Sequence, residues 1–276
     1  MIIRVFPRKT AATPIDDNVR FGPPGMFEPE NITAVHISVT FTHDLAKAEF
    51  LLSEWEYRYP GIVSIGGPAT GSAGENFTPG LYLKPGYVIT SRGCRNRCWF
   101  CSVWKREGTI RELPVTIGNN VLDDNILATS KEHFKSVFDM LKNQKHRIEF
   151  TGGLEAAILT EWHVKKLKDL KPKQLFFAYD TPDDKEPLFE AGKLLHRYLF
   201  KSQLRCYNLI GFPKDTFQAA EKRLHETIAA GFMPMAMLWR NDSGTVDQTW
   251  KRFQREWARP AIIRTKIKEL LSVNPT

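Results

Sequence analysis

The sequence contains few cysteines and no long apolar stretch. Only 4 of its 276 residues are cysteine, and three of them fall between positions 94 and 101, which does not suit the disulfide framework of a secreted domain. No run of eighteen apolar residues occurs, so no segment qualifies as a transmembrane helix. The opening residues MIIRVFPRKT lack the apolar region and cleavage site of a secretory signal. We therefore expect a cytoplasmic protein in a reducing compartment, without membrane contact.

Acidic and basic residues are distributed unequally along the chain. Residues 1–80 hold 6 Lys and Arg against 9 Asp and Glu, whereas residues 81–276 hold 33 against 22. A positive field raises the local concentration of anions, so an anionic substrate such as a nucleic acid is one interpretation of the second part. The simpler interpretation is that these charges lie on the solvated outer faces of lysine-rich helices, such as residues 165–173.

The N-terminal part has the pattern of a small α/β unit. Residues 32–41 are rich in β-branched and apolar side chains, residues 43–59 place apolar residues on one helical face, and residues 61–69 form a second short apolar run. This order predicts a βαβ unit with parallel strands, similar to a truncated Rossmann-like domain. We place this domain at residues 1–80.

The following part contains six predicted strands, and helical patterns lie between most of them. Such a rhythm favours a parallel sheet with outer helices, and six units predict a partial barrel rather than the closed barrel of eight. We place this α/β barrel at residues 81–245 and a helical C-terminal extension at residues 246–276. The predicted strands are residues 86–91, 120–124, 147–152, 174–180, 204–211 and 232–239, and the predicted helices between them are residues 130–143, 161–170, 184–200 and 215–231.

Three cysteines lie on one short segment directly after the first predicted barrel strand. Cys94, Cys98 and Cys101 can hold three corners of a cubane iron–sulfur cluster, which leaves one iron open to bind and activate another molecule. A zinc site is an alternative, but zinc requires a fourth Cys or His nearby, and none follows Cys101 before His133. Plain buried thiols are the other alternative. The basic residues around the segment favour the thiolate form.

These cysteines resemble the signature of the radical SAM superfamily, CxxxCxΦC with Φ aromatic, which is matched by Cys94, Cys98, Phe100 and Cys101. The resemblance implies a partial (β/α)6 barrel and a [4Fe–4S] cluster to which S-adenosylmethionine binds. It implies reductive cleavage of this cofactor to a 5′-deoxyadenosyl radical that abstracts hydrogen from a substrate. It also implies a flavodoxin- or ferredoxin-like electron donor.

The resemblance places further cofactor contacts at the strand ends. Phe100 would lie near the adenine, and Asp124 or Asn125 would receive the methionine amino group where the family usually has a Gly-Gly-Glu-like stretch. Each remaining candidate could instead be a turn former, a helix cap or a packing residue. These candidates are Thr151, Gly152, Tyr179, Asp180, Ile210, Gly211 and Met237. No catalytic residue beyond the cofactor site is assigned.

The first eighty residues resemble a shortened cobalamin-binding domain of the kind that precedes many radical SAM barrels. The resemblance rests on residues 36–42 and on the Gly-Gly strand end in residues 64–69. The cobalt-ligating DxHxxG loop is absent, and His36 and His43 are not in that context. We therefore expect no bound cobalamin, although some relatives bind it without a histidine ligand.

The sequence thus predicts a radical SAM enzyme whose substrate is unknown. Alternatives are a cobalamin-dependent radical SAM methyltransferase and a metal-containing nucleic-acid-binding protein without radical chemistry. The last one rests on the tail, residues 249–271, where aromatic residues alternate with seven basic ones and could stack on bases. An amphipathic helix pair covering the barrel explains the same pattern. Cys206, the fourth cysteine, is expected to be a core residue.

Overall fold

Two parallel sheets, one from each half of the chain, organise the fold. The computed structural model describes residues 1–71, 73, 76–241 and 243–273. Residues 72, 74, 75 and 242 lie outside the described residues, as do residues 274–276 at the end of the predicted C-terminal extension. Among the helices of the described residues, none has the length and hydropathy that crossing a bilayer requires.

The first sheet has four parallel strands in the order β2-β1-β3-β4. Its elements are β1 (Ile2–Val5), β2 (Val19–Arg20), β3 (Ala34–Ser38), α1 (Leu45–Arg58) and β4 (Val63–Gly66). Helix α1 packs its buried residues Ala48, Leu51 and Trp55 against apolar side chains of β1 and β3. The predicted βαβ unit corresponds to β3, α1 and β4, and its strands are parallel.

Strands β1 and β2 were not predicted. Strand β2 has only two residues, which are too few to show a period in the sequence. Strand β1 is fully enclosed since it pairs on both sides, with β2 and with β3. Its apolar residues Ile3 and Val5 therefore lie in the core.

The second sheet has six parallel strands in the order β12-β11-β10-β9-β8-β5, and this α/β arrangement is the predicted partial barrel. Each predicted strand contains one observed strand, and each predicted helix one observed helix. The strands are β5 (Tyr87–Val88), β8 (Asn120–Val121), β9 (Glu149–Phe150), β10 (Gln174–Ala178), β11 (Leu204–Ile210) and β12 (Met233–Leu238). The helices between them are α3 (Lys131–Lys142), α4 (Glu161–Leu170), α5 (Lys185–Leu195) and α6 (Phe217–Ala229).

Two short strands interrupt this alternation after β5. Strands β6 (Ser91–Arg92) and β7 (Arg111–Glu112) pair antiparallel, and the short helix α2 (Val103–Arg106) lies between them. The chain also contains single 3₁₀ turns, most of them where a strand leads into a helix. These turns are Thr42–Asp44, Pro68–Thr70, Ile126–Ala128, Ala156–Ile158, Pro182–Asp184 and Lys201–Gln203.

The main core lies between the second sheet and its helices. Strand β11 shows the arrangement, because Cys206 and Ile210 are fully buried while Tyr207 and Leu209, on the opposite face, are half-buried. Cys206 is part of the main apolar cluster, as expected for a core cysteine. The face that carries Tyr207 and Leu209 is the inner face of the partial barrel.

Helices α7 (Gln248–Ala258) and α8 (Pro260–Val273) form the C-terminal end of the described chain. Trp257 is fully buried, and Trp250 and Phe253 pack against the same cluster of Ile210, Leu224 and Ala236. The aromatic residues of the tail therefore pack on β11, β12 and α6, and they do not form a free stacking surface. This is the amphipathic helix pair that the sequence predicts.

Candidate functional site

The three clustered cysteines lie on a loop between β6 and β7, which we call the cysteine loop (residues 93–110). Gly93 opens the loop with φ +90°, and a Cβ there would overlap the carbonyl oxygen of Thr109. The backbone N–H of Cys94 donates to the carbonyl oxygen of Gly108 at 3.2 Å. Only glycine suits the first position, and the two ends of the loop are held together.

Two aspartates at the end of β8 bind the base of this loop. Asp123 is 1% exposed and accepts hydrogen bonds from the Thr90 N–H and hydroxyl, both at 2.6 Å, and from the Ser91 hydroxyl at 2.8 Å. Asp124 accepts from the backbone N–H of Gly93 at 2.8 Å. Burial raises the pKa of both carboxyl groups. The sequence-predicted contact Asp124 is therefore used, through one oxygen, to position the cysteine loop.

The three thiols of the loop are free and half-buried. Burial, together with the neighbouring Cys101 and Cys94 groups, raises the pKa of the Cys98 thiol to about 11. Burial also raises the pKa of Cys101. Two cations near the loop have carboxylate partners: Arg95 pairs with Glu155 at 3.2 Å and Arg106 with Glu107 at 2.9 Å.

This donor set fits an iron–sulfur cluster. Three thiols project from one short loop, and the backbone N–H of Asn96 donates to Cys94 Sγ at 3.4 Å, as donors to cluster sulfurs do. Among the described residues, no three His, Cys, Asp or Glu side chains converge as ligands of a single metal ion would. A cubane offers each thiolate its own iron, so its ligands do not need to meet at one point.

A carboxylate that the sequence analysis missed lies beside Cys94. The Asn125 amide nitrogen is 3.8 Å from Cys94 Sγ and 2.6 Å from the Glu155 carboxylate, whose side chain is 13% exposed. Glu155 follows Gly152 and Gly153 after β9. The family resemblance predicts a Gly-Gly-Glu-like stretch at the end of the second barrel strand. The sequence has two glycines followed by an acid at the end of the third strand instead, and this pattern could have indicated Glu155.

The small residues at the end of β9 contact protein atoms. The Thr151 hydroxyl donates to the Asn120 side-chain oxygen at 2.6 Å. A Cβ on Gly152 would overlap the carbonyl oxygen of Asp123. Glycine at this position thus lets the ends of β8 and β9 touch. The group that closely approaches Gly152 is the backbone of Asp123.

Tyr179 contacts helix α6, whereas Asp180 contacts the backbone of strand β11. Tyr179 is 3% exposed, and its hydroxyl donates to Glu226 of α6 at 2.5 Å, on the helix side rather than at the strand end. Asp180 accepts from the backbone N–H of Leu209 at 2.7 Å. Burial raises the pKa of Asp180 to about 6, and the adjacent Asp184 acts in the same direction. Asp180 also contributes to the raised pKa of Cys98.

The candidates at the ends of β11 and β12 are divided between the two faces. Ile210 is fully buried in the cluster beneath α6 and α7, so it faces the helices. Leu209 occupies the inner face instead and is paired in register with Met237, which is 46% exposed. Gly211 has φ +70°, and its N–H donates to Asp215 at 2.8 Å. The sequence analysis therefore selected Ile210, whereas its neighbour Leu209 is the residue on the inner face of the barrel.

An aromatic contact joins the cysteine loop to the end of β11. Trp99 is 54% exposed and lies 5.3 Å from Phe100 and 5.6 Å from Phe212, ring centre to ring centre, in edge-to-face geometry. The guanidinium of Arg223 lies over the Phe212 ring, 5.2 Å from its centre. Trp99 was not selected from the sequence because the signature specifies only the aromatic residue at Phe100.

The strand ends of the two sheets contact each other next to this loop. Arg106 of α2 donates to the carbonyl oxygen of Pro68, just after β4, at 3.1 Å. On the loop after β12, a Cβ on Gly244 would lie 2.6 Å from the Cβ of His43. The carboxyl ends of both sheets therefore approach the same region, where α/β proteins place their ligands.

Comparisons with known proteins identify the fold. No protein-family model matches the chain, and no curated protein matches its sequence. The structure is similar to the radical S-adenosylmethionine methyltransferase TsrM from Kitasatospora setae, solved with cobalamin and a [4Fe–4S] cluster bound, with a TM-score of 0.62 and 11% identity over 88% of this chain and 76% of that one. A second TsrM structure, with tryptophan substrate and the SAM analogue aza-SAM, aligns with a TM-score of 0.46 and 12% identity over 75% of this chain and 55% of that one. At 11% identity, the first likeness establishes a shared fold.

Proposed function

We propose that this chain is a radical SAM enzyme that binds a [4Fe–4S] cluster through Cys94, Cys98 and Cys101. The proposal is carried by one observation: three free, half-buried thiols project from a glycine-closed loop at the carboxyl ends of a six-stranded parallel sheet. The fold shared with a radical SAM methyltransferase supports it. A zinc site lacks a fourth ligand in the cysteine loop.

The residues of the chain would hold and shield the reacting groups. When bound, the cluster and S-adenosylmethionine supply a one-electron cleavage of the sulfonium to methionine and a 5′-deoxyadenosyl radical. The Asn96 N–H and the Asn125 amide donate toward Cys94 Sγ, and such hydrogen bonds tune the reduction potential of a cluster. Phe100, held by Trp99, would cover the adenine.

We assign the remaining cofactor contacts to the polar and apolar groups that face the inner side of the barrel. Glu155 and Asn125, beside Cys94, would receive the methionine amino group, because a carboxylate accepts from an ammonium group. Asp180 would accept from the ribose hydroxyls, and Leu209 with Met237 would border the adenine. In this proposal Asp124, Thr151, Gly152, Tyr179, Ile210 and Gly211 support the site through their protein contacts.

The electron would come from a flavodoxin- or ferredoxin-like donor. Outside the cysteine loop the chain has only one cysteine, Cys206, which is buried in the core. The chain therefore lacks the ligands for a second cluster that could supply the electron. We expect the substrate to be anionic, since residues 81–276 carry the positive excess of the chain. The nucleic-acid-binding alternative loses its stacking surface, because Trp257 is buried and Trp250 and Phe253 pack against the barrel.

We propose further that the chain works without bound cobalamin, because the cobalt-ligating DxHxxG loop is absent from its sequence. In the N-terminal sheet, His36 Nδ1 is 2.6 Å from the Tyr82 hydroxyl, and the His43 ring stacks on Phe41 at 5.2 Å. Both rings therefore have partners. TsrM was solved with cobalamin bound, so the expectation requires a direct test. A UV–visible spectrum of protein produced with excess B12 gives it: a corrin band that co-purifies with the protein would contradict it.

The enzyme proposal is tested by metal analysis and product detection. Protein purified without oxygen should contain about four irons and four sulfides per chain. After reduction with dithionite, it should convert S-adenosylmethionine to 5′-deoxyadenosine. Stoichiometric zinc, or no metal after reconstitution with iron and sulfide, would reject the cluster. An intact cluster that yields no 5′-deoxyadenosine would reject the radical SAM assignment alone.

A further inference from the structure

A cavity lies at the carboxyl ends of the first sheet, and no residue of the cysteine loop lines it. We propose that this cavity binds the phosphate group of a small phosphate monoester. It is a cavity of about 330 Å³ lined by Pro7, Arg8, Lys9, Phe21, Asp44 and Lys47. The proposal goes beyond the radical SAM activity and does not depend on it.

The topology of the sheet puts the cavity where ligands of α/β proteins bind. In the order β2-β1-β3-β4, the chain leaves β1 toward one edge, then crosses to β3 and continues toward the other. This reversal is a topological switch point between β1 and β3, and ligands bind outside the carboxyl ends of the strands at such a point. Residues 7–9 follow β1, Phe21 follows β2, and Asp44 follows β3.

The charges of the cavity favour an anion. Arg8 holds Asp44 in a two-point ion pair, with N–O distances of 2.7 and 3.0 Å. Lys47 donates to the neutral carbonyl oxygen of Pro7 at 2.5 Å, and the Lys9 ammonium lies 5.9 Å from the centre of the Phe21 ring. In the described part of the chain, neither lysine has a carboxylate partner. The lining therefore has two uncompensated positive charges, which match a phosphate dianion.

The walls of the cavity indicate what the phosphate is attached to. The Phe21 ring is 38% exposed and forms an apolar wall together with Pro7. The volume is in the range of small-molecule sites and exceeds that of a free phosphate ion. A ring of the ligand can stack on Phe21 while its phosphate meets Lys9 and Lys47. We therefore infer a monoester of mononucleotide size.

Calorimetric titration of the whole protein at low salt tests the site, with AMP, inorganic phosphate and adenosine as ligands. We expect AMP to bind, and adenosine not to bind at this site. The double variant Lys9→Gln/Lys47→Gln should bind AMP at least about tenfold more weakly, since it loses two hydrogen bonds to a charged group. Lys135→Gln, which changes an exposed lysine on α3, is the matched control and should bind as the wild type does.

The ligands and one further variant distinguish the possible outcomes. Phe21→Ala should weaken AMP binding but leave phosphate binding unchanged if the ring stacks. Equal affinities for phosphate and AMP, both lowered in the lysine variant, would make free phosphate the source of the bound group. AMP binding that the lysine variant leaves unchanged would overturn the proposal, as would no binding at all. Cys98→Ala should bind AMP normally, so this result is independent of the cluster.

Discussion

Both parallel sheets have polar residues at the carboxyl ends of their strands, but these residues are more buried at the second sheet than at the first. At the second sheet, Asp123 is enclosed and bound by Thr90 and Ser91, and the cysteines are half-buried. At the first sheet, Arg8, Lys9 and Lys47 are exposed, and the ion pair of Arg8 with Asp44 is 46% exposed on the arginine side.

This difference concerns how rigidly each site is formed before a ligand arrives. The buried carboxylates of Asp123 and Asp124, which accept from Thr90, Ser91 and Gly93, fix the base of the cysteine loop in one geometry, which a cluster held by only three ligands requires. Exposed lysines remain solvated and can adapt to an anion at little cost. We therefore expect the second sheet to respond sharply to substitutions and the first only weakly.

Removing a cluster ligand should have the largest effect. Cys98→Ala should abolish both the cluster and the formation of 5′-deoxyadenosine, because two thiolates on the loop cannot hold three corners of a cubane. Iron content and product analysis are the measurements. Cys206→Ala is the matched control: it should retain the cluster and lose about 1 kcal/mol of stability through a small cavity. Turnover that persists in Cys98→Ala would refute the ligand assignment.

Removing the support of the loop should have the next largest effect. Asp123→Ala leaves the buried Thr90 N–H without an acceptor, and we expect a loss of about 3 kcal/mol in urea unfolding. Asp123→Asn keeps one acceptor and should lose less. In the first sheet, Asp44→Ala breaks an ion pair that is half-exposed on one side and should cost about 1 kcal/mol. Equal losses for Asp123→Ala and Asp44→Ala would contradict the comparison between the sheets.

The sequence predicts the second sheet better than the first, for a physical reason. Strands β8 to β12 each adjoin a helix with its own apolar period, so they could be found even where only two residues, such as Asn120 and Val121, form the ladder. Strands β1 and β2 are joined without a helix. Nothing outside the strands therefore indicates them, and the four-stranded sheet could not be predicted.

At the site, spacing predicted the loop but could not predict which way side chains point. The cysteines and Phe100 depend only on local order along the chain. Ile210 and Tyr179 were selected as strand-end residues, but a shift of one residue moves a side chain to the opposite face. The role of Gly152 depends on the backbone of Asp123, which is distant in sequence and could not be predicted.

The pH dependence of stability should distinguish Asp180 from the exposed carboxylates. Its pKa is raised to about 6 in the folded state, so between pH 4 and pH 6 the native state holds a proton that the unfolded state has lost. Stability should therefore fall as pH rises through this window. Asp180→Asn, which can still accept from Leu209, should remove this fall and be more stable by about 3 kcal/mol at pH 7. Parallel profiles for the two proteins in urea unfolding would show that Asp180 has an ordinary pKa.

The smallest effect is expected at Tyr179, which tests the division between the two faces of the second sheet. Its hydroxyl donates to Glu226 of α6, so Tyr179→Phe should lose about 1 kcal/mol of stability. Because the hydroxyl lies on the helix side, the KM for S-adenosylmethionine should not change. Glu226→Gln keeps an acceptor for the hydroxyl and serves as the control for the hydrogen bond. A KM that rises severalfold in Tyr179→Phe, with unchanged stability, would instead place this hydroxyl on the cofactor, as the sequence pattern suggested.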